Sequence, residues 1–242
     1  MDAIRIEGLT KKYKDVTAVD GLTLSIREGE LFSLLGVNGA GKTTTIKMLS
    51  CLVEATGGDA CLMGHSIKND AMGVKSVIAV SPQETAVAKG LTVRENLELI
   101  CGIYGFRSEA CEKKIKELSS LIGLDAVMNK KAGKLSGGWQ RRLSIAMALI
   151  SEPKILFLDE PTLGLDVIAR SDMWDIIRSL KGKVTVVLTT HYMEEAEELS
   201  DRVAIMREGR LLICDTVENI KAFAKDDSFE RAFIKIVKGD LK

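Results

Sequence analysis

Residues 36–43 read Gly-Val-Asn-Gly-Ala-Gly-Lys-Thr, three glycines leading into a lysine and a run of threonines. The spacing fits GxxxxGK[ST], a pattern with meaning only between a strand and a helix. Gly36, Gly39 and Gly41 let the backbone pass close to phosphate oxygens where a Cβ would block it. Successive N–H groups of the loop, which also holds Val37, Asn38 and Ala40, then point into one anion-sized hollow, and the positive helix end, with Thr44 in its first turn, adds to it. Lys42 supplies a point charge for β- and γ-phosphates, and the Thr43 hydroxyl a ligand for Mg²⁺. A second cluster stands at 155–160, where the apolar run ILFL stops at Asp159 and Glu160. Buried parallel strands end at the ligand edge of their sheet, so Asp159 arrives beside the phosphates and can hold Mg²⁺ through water. Glu160 can activate the water in line with the γ-phosphate, a contribution of roughly 10²–10⁴-fold for a positioned base. A third cluster, Ser136-Gly137-Gly138, opens a helix and is again an anion-binding design. One ATP needs one cradle, so the economical reading gives the second cradle to an ATP held on another subunit.

The elements that must position these groups follow from periodicity. Residues 3–7 and 22–26 alternate as half-buried strands do. LFSLL at 31–35 reads as a fully buried strand, followed by the glycine loop and a helix from about 42 to 52. VIAV at 77–80 is a further strand. Thr92 and Glu95 form a capping box, opening a helix with an apolar face of Val93, Leu97, Ile100 and Tyr104. A second helix presents Cys111, Ile115, Leu118 and Ile122, and a third Leu143, Ala146, Met147 and Ile150. Strands at 155–158 and 184–188 enclose another helix, and 202–214 reads as a hairpin turning at Gly209. The pattern predicts an α/β fold with a mainly parallel sheet. Its core covers about 1–83 and 151–220, a helical block 84–150, and a short tail 221–242.

Composition narrows the function. Of 242 residues, 34 are basic and 34 acidic, so no net field points to nucleic acid, and aromatics at 5% leave little for base stacking. Cys51, Cys61, Cys101, Cys111 and Cys214 are scattered, odd in number and without a CxxC pair, which suits buried thiols in a reducing compartment. No apolar run is long enough to span a bilayer, so any membrane role comes through a partner.

Taken together, GVNGAGKT, LSGGWQRR and ILFLDEPTLGLD resemble the ATP-binding subunit of ABC transporters, over nearly the whole chain and in the family's order. The resemblance implies a P-loop NTPase core with an N-terminal antiparallel β portion and an inserted helical subdomain. It implies that Tyr13 stacks on adenine and that Gln83 senses Mg²⁺ and the γ-phosphate. His191 matches the histidine that contacts the γ-phosphate, and Asp166 lies in the loop that crosses a dimer interface. Ser136 and Gly138 are expected to reach the ATP of a second copy in a head-to-tail homodimer. The sequence departs from the family at Val37, Trp139 and Leu163, none of them a catalytic group. The resemblance further implies ATP and Mg²⁺ as cofactors, an integral membrane partner docked near residues 84–90, no nucleic-acid partner, and a place on the cytoplasmic face of the membrane. THYMEEAEELSDRV and SFERAFIKI are similar to drug-exporter ATPases of the ABC-2 type. The acidic run 194–198 is expected to be a solvated helix face. An importer ATPase, a soluble ABC-type ATPase acting on nucleic acid or ribosomes, and a nonhydrolysing nucleotide-gated module remain open alternatives.

Overall fold

A computed structural model describes residues 1–240. Ten strands form two sheets. The first, in order β2-β1-β4-β5, is antiparallel: β1 (Asp2–Tyr13), β2 (Val16–Arg27), β4 (Gly57–Leu62) and β5 (His65–Ser66). The second, in order β10-β9-β3-β8-β7-β6, contains β3 (Leu31–Leu35), β6 (Ile78–Ser81), β7 (Ile155–Asp159), β8 (Thr185–Thr190), β9 (Arg202–Arg207) and β10 (Arg210–Asp215). It is parallel except at the β9–β10 hairpin. The helices are α1 (Lys42–Leu49), α2 (Ala71–Val77), α3 (Val93–Ile103), α4 (Ser108–Ile122), α5 (Gly137–Leu149), α6 (Val167–Leu180), α7 (Met193–Leu199), α8 (Val217–Ala224) and α9 (Phe229–Lys238).

The parallel strands bury both faces, which is why they read as unbroken apolar runs. In β7, Ile155 and Phe157 face a core shared with α1 and the antiparallel sheet. Leu156 and Leu158 face the opposite way, into a core shared with α3, α4, α5 and α6. Segment 84–150 is therefore helical but packs into the same apolar body as one face of the sheet.

Several boundaries differ from the sequence reading, each for a local reason. β1 and β2 each run 12 residues, because register shifts interrupt the alternation beside Gly8 and Gly21, both left-handed. α1 stops at Leu49, and Cys51 turns the chain with φ 55°. Helix α2 was not expected; Asp70 caps it by accepting from the Gly73 amide, and it shifts the following strand to Ile78–Ser81. On α3 the innermost positions are Val93, Leu97 and Cys101, while Tyr104 is 56% exposed.

The structure adds to one expectation and overturns another. Residues 221–242, read as a tail, contain the end of α8 and all of α9, whose Phe229, Ala232, Phe233 and Ile236 pack with Val203 and Ile205 of β9. The acidic run 194–198 is not a solvated face throughout: Glu195 is fully buried. It lies one helical turn before buried Leu199, on the inward face of α7.

Candidate nucleotide site

The phosphate loop leaves β3 at Gly36 and enters α1 at Lys42. Its glycines answer separate demands. A Cβ at Gly36 would lie 2.5 Å from the Met206 carbonyl oxygen, and one at Gly41 2.5 Å from that of Ala18. Gly41 also has φ 100° and caps α1 without a side-chain bond. Among the described residues, the amides of Gly39, Gly41, Lys42, Thr43 and Thr44 find no acceptor in the chain. Free amides at a helix mouth are an anion site, and these five fit a polyphosphate.

Around them lies a cleft of about 730 Å³, lined along the loop and by Tyr13, Ala18, Gln83, Glu160, Leu163 and His191. The Lys42 ammonium sits inside it, bonded to the carbonyl oxygens of Gly36 (2.7 Å) and Val37 (3.3 Å) and 3.5 Å from Glu160 Oε1. Burial lowers its pKa, while the charges of Glu160 and Asp159 oppose the shift. The Thr43 hydroxyl donates to Asp159 Oδ1 at 3.1 Å. A hydroxyl and a carboxylate side by side at the foot of a phosphate cradle suit Mg²⁺, which takes few protein ligands and shares substrate phosphates. Among the described residues no cluster of three His, Cys, Asp or Glu side chains could hold a metal alone.

Glu160 follows β7 with φ 50°, a left-handed conformation unusual for a bulky residue. Its amide donates to the carbonyl oxygen (3.2 Å) and the hydroxyl (3.0 Å) of Thr189. Its Oε2 lies 2.7 Å from His191 Nδ1. Glu160 is buried and His191 partly exposed, so the pair forms one wall of the cleft.

The sequence-predicted residues thus divide. Tyr13, residues 38–44 of the loop, Gln83, Glu160 and His191 line one cleft, with Gly36, Val37 and Asp159 anchoring Lys42 and Thr43 beneath it. Ser136 and Gly138 do not line it; they border a separate hollow of about 330 Å³ with Trp139, Arg142 and Asp166, and Gly137 faces a third beside Gln83. Ser136 precedes α5 but makes no capping bond, so its hydroxyl is free and exposed. Gly138 lies against α6, where a Cβ would meet that of Ala169 at 3.3 Å. The exposed Asp166 caps α6 through the Ala169 amide at 2.9 Å.

Two contributors escaped the sequence reading. Thr189 Oγ1 donates to Asp159 Oδ1 (2.5 Å) while accepting from the Glu160 amide; a polar residue ending an apolar strand was the available signal. Arg141, buried in α5, donates to the carbonyl oxygens of Pro82 and Gln83. It ties the helical block to the Gln83 loop, and nothing in the local sequence shows that.

A phosphate cradle before a helix, with carboxylates delivered by a parallel strand of the same sheet, β7, one strand removed from β3, defines a P-loop nucleotide-hydrolysing domain. Within that class, the family profile described as ABC transporter matches residues 19–163. The chain belongs to the ABC transporter family, as one of its ATPase domains. It is 40% identical over 221 residues to the daunorubicin/doxorubicin resistance ATP-binding protein DrrA of Streptomyces peucetius, covering 91% of this chain and 67% of that protein. It is 41% identical over 215 residues to the human phospholipid-transporting ATPase ABCA3, covering 87% of this chain but only 13% of that much longer protein. Among solved structures, the dimeric post-hydrolysis state of the ATP-binding cassette MJ0796 bound to ADP and Pi superimposes with a TM-score of 0.78 at 28% identity, covering 88% of this chain and 98% of that one.

Proposed function

We propose that the cleft binds Mg²⁺-ATP, that a second copy of this chain completes the site, and that the resulting cycle powers substrate movement, outward, through a separate membrane subunit. The observation that carries the reading is the division of the anion-binding groups. The Lys42 cleft has its own cradle, while Ser136 presents a free hydroxyl at a different, exposed hollow. Two copies placed head to tail bring each Ser136 to the other's γ-phosphate and give two sites. The MJ0796 cassette, bound to ADP and Pi as a dimer, is consistent with this, and the drug-resistance name of DrrA favours export. Asp166 then lies at the seam between copies, next to the exposed Val167 and Ile168.

In this reading Tyr13 stacks on adenine at the cleft rim, the loop amides hold the phosphates, and Lys42 moves from its own carbonyls to the β/γ-phosphates. Thr43, Asp159 and Gln83 would hold Mg²⁺, which supplies charge neutralisation on the phosphate oxygens. Glu160 orients the attacking water and takes its proton, and His191 holds Glu160 and reaches the γ-phosphate. Closure is favoured only by contacts made in the closed state, so loss of the γ-phosphate reopens the dimer.

The membrane partner would dock beside the 84–90 loop. Buried Asn96 fixes that loop, bonding both Ala88 N and Ala88 O. An apolar groove of about 430 Å³ adjoins it, lined by Leu52, Pro82, Ala86, Ile100, Tyr104 and Met147. Among the described residues no helix is long and apolar enough to cross a membrane, so this domain would sit on the cytoplasmic face through that partner. The test is Glu160→Gln, expected to cut ATP turnover by roughly 10²–10⁴-fold while trapping an ATP-bound dimer in light scattering. A variant that stays monomeric at saturating ATP would sink the head-to-tail reading.

A further inference from the structure

Among the described residues only two buried side-chain polar atoms lack a hydrogen-bond partner, Arg170 Nε and Glu195 Oε2. Both belong to the junction of α6 with the segment after β8. Glu195 is fully buried in the first turn of α7, four residues after His191. Its Oε1 accepts from the Thr162 hydroxyl at 2.8 Å and the Trp174 indole N–H at 3.3 Å. Three segments therefore meet on one oxygen: the loop leaving Glu160, the middle of α6, and the helix that follows His191.

The position of this junction matters for the Glu160–His191 contact. Glu160 and His191 follow neighbouring strands, whose ladder ends at Asp159 opposite Thr189. Beyond that rung the two chains separate into loops, yet the contact at 2.7 Å needs them held together. Glu160 must also be kept at φ 50°, a strain that persists only where the surroundings fix it. The Thr162–Glu195 bond joins these same two segments just past the site. Beside it, the Arg170 guanidinium lies 4.5 Å from the Tyr192 ring, which packs on His191 at 4.2 Å between ring centres.

The chemistry at Glu195 favours an uncharged group. No cation pairs with it among the described residues, and a buried lone carboxylate is costly. Burial raises its pKa, the Glu160 charge pushes the same way, and the Thr162 and Trp174 donors only partly oppose this. We propose that Glu195 is a positioning residue for ATP hydrolysis: it clamps the Glu160–Thr162 segment to the His191 segment and keeps Glu160 aimed at the water.

This inference rests on the assignment of Glu160 as the water-activating group, and the experiment separates the two. ATP turnover and thermal melting are measured on the full chain carrying Glu160→Gln, Glu195→Ala, Glu195→Gln or Thr162→Val. Glu195→Ala is expected to lower kcat by about ten- to a hundredfold, the scale of a small misplacement of reacting groups, with KM for ATP within about twofold because the phosphate cradle is untouched. Glu195→Gln keeps the Oε1 acceptor and the shape of the side chain, so it restores most of kcat. Thr162→Val, which keeps the shape and removes the donor, reproduces part of the alanine defect. Turnover surviving Glu160→Gln would overturn the assignment of the base itself. With that assignment intact, a Glu195→Ala chain that melts lower but keeps its kcat, one whose loss lies in KM, or a glutamine variant as impaired as alanine would each overturn the clamp.

Discussion

The chain builds two glycine-bearing helix mouths and finishes only one of them. At the start of α1, Lys42 is bonded to its own loop and paired with Glu160, and Thr43 is tied to Asp159; all three charged groups are nearly sealed from water. At the start of α5, Ser136 has a free hydroxyl, Gly137 is exposed, and no acid or base is bonded to either. Both mouths offer backbone amides and a helix dipole, so the difference lies in what surrounds them. The first holds charges that must be satisfied inside the chain, because an unpaired buried charge is costly. The second keeps its donors in water, where they cost nothing until a partner arrives. In the proposed dimer the first mouth would be a pre-assembled half-site and the second an open one, as a reaction gated by association requires.

The contrast is most sharply tested by breaking each mouth in turn. Lys42→Ala should abolish ATP binding by the isolated chain, and turnover with it, by at least about 10²-fold. Ser136→Arg should leave binding by the isolated chain unchanged, as measured by titration calorimetry, because Ser136 does not line the Lys42 cleft. It should still lower turnover by about 10²-fold, since a bulky side chain at the mouth prevents close approach of a second copy. Wild-type turnover should rise with the square of chain concentration at low concentration, and the arginine variant should lose that dependence. Equal binding defects in the two variants would erase the distinction between the mouths.

A subtler test asks how firmly the closed half-site is fixed. Thr189→Val removes the hydroxyl that donates to Asp159 and accepts from the Glu160 amide, leaving the Thr43 bond to Asp159 in place. Loss of a buried hydrogen-bond partner costs about 1–3 kcal/mol, which for a domain of this size lowers Tm by roughly 2–12 °C. The kcat should fall about tenfold through misaimed carboxylates, with nucleotide affinity measured by fluorescence titration nearly unchanged. Unaltered melting would mean that the strand ladder alone holds Asp159 and Glu160.

What the sequence discloses divides along the same line. The groups gathered at the Lys42 cleft are legible because chemistry confines them to glycine loops and strand ends: the loop 36–44, Asp159, Glu160 and His191 each stand at such a junction. Their supports are not. Arg141 reaches Pro82 and Gln83 from about sixty residues away, and no local pattern encodes that contact. Thr189 falls just outside the strand read at 184–188, and the longer observed strand, Thr185–Thr190, puts it beside the acids. Glu195 was legible in principle, since it shares a helical face with Leu199, but the surrounding acids masked the periodicity. The strand lengths of β1 and β2 were lost where bulges break the alternation, and α2 is too short to complete two turns. In α9 the buried set Phe229, Ala232, Phe233 and Ile236 keeps helical spacing, so its packing was written in the sequence although the segment was taken for a tail.

The smallest expected effect lies at the open mouth itself. Asp166 caps α6 and, in the proposed dimer, sits at the seam between copies. These two roles separate because asparagine caps helices about as well as aspartate. Asp166→Ala should lower stability by about 1 kcal/mol, the usual loss of an N-cap, visible as a Tm shift of a few degrees. Asp166→Asn keeps the acceptor for the Ala169 amide and should melt with the wild-type chain. If Asp166 acts only as a cap, the asparagine variant also turns over ATP normally, and the exposed carboxylate contributes nothing across the seam. If its charge is used by the second copy, turnover falls in both variants by a similar factor while only alanine melts early. Turnover and melting measured on the same two proteins therefore decide whether the open mouth recruits the acid beside it or leaves it to the helix it caps.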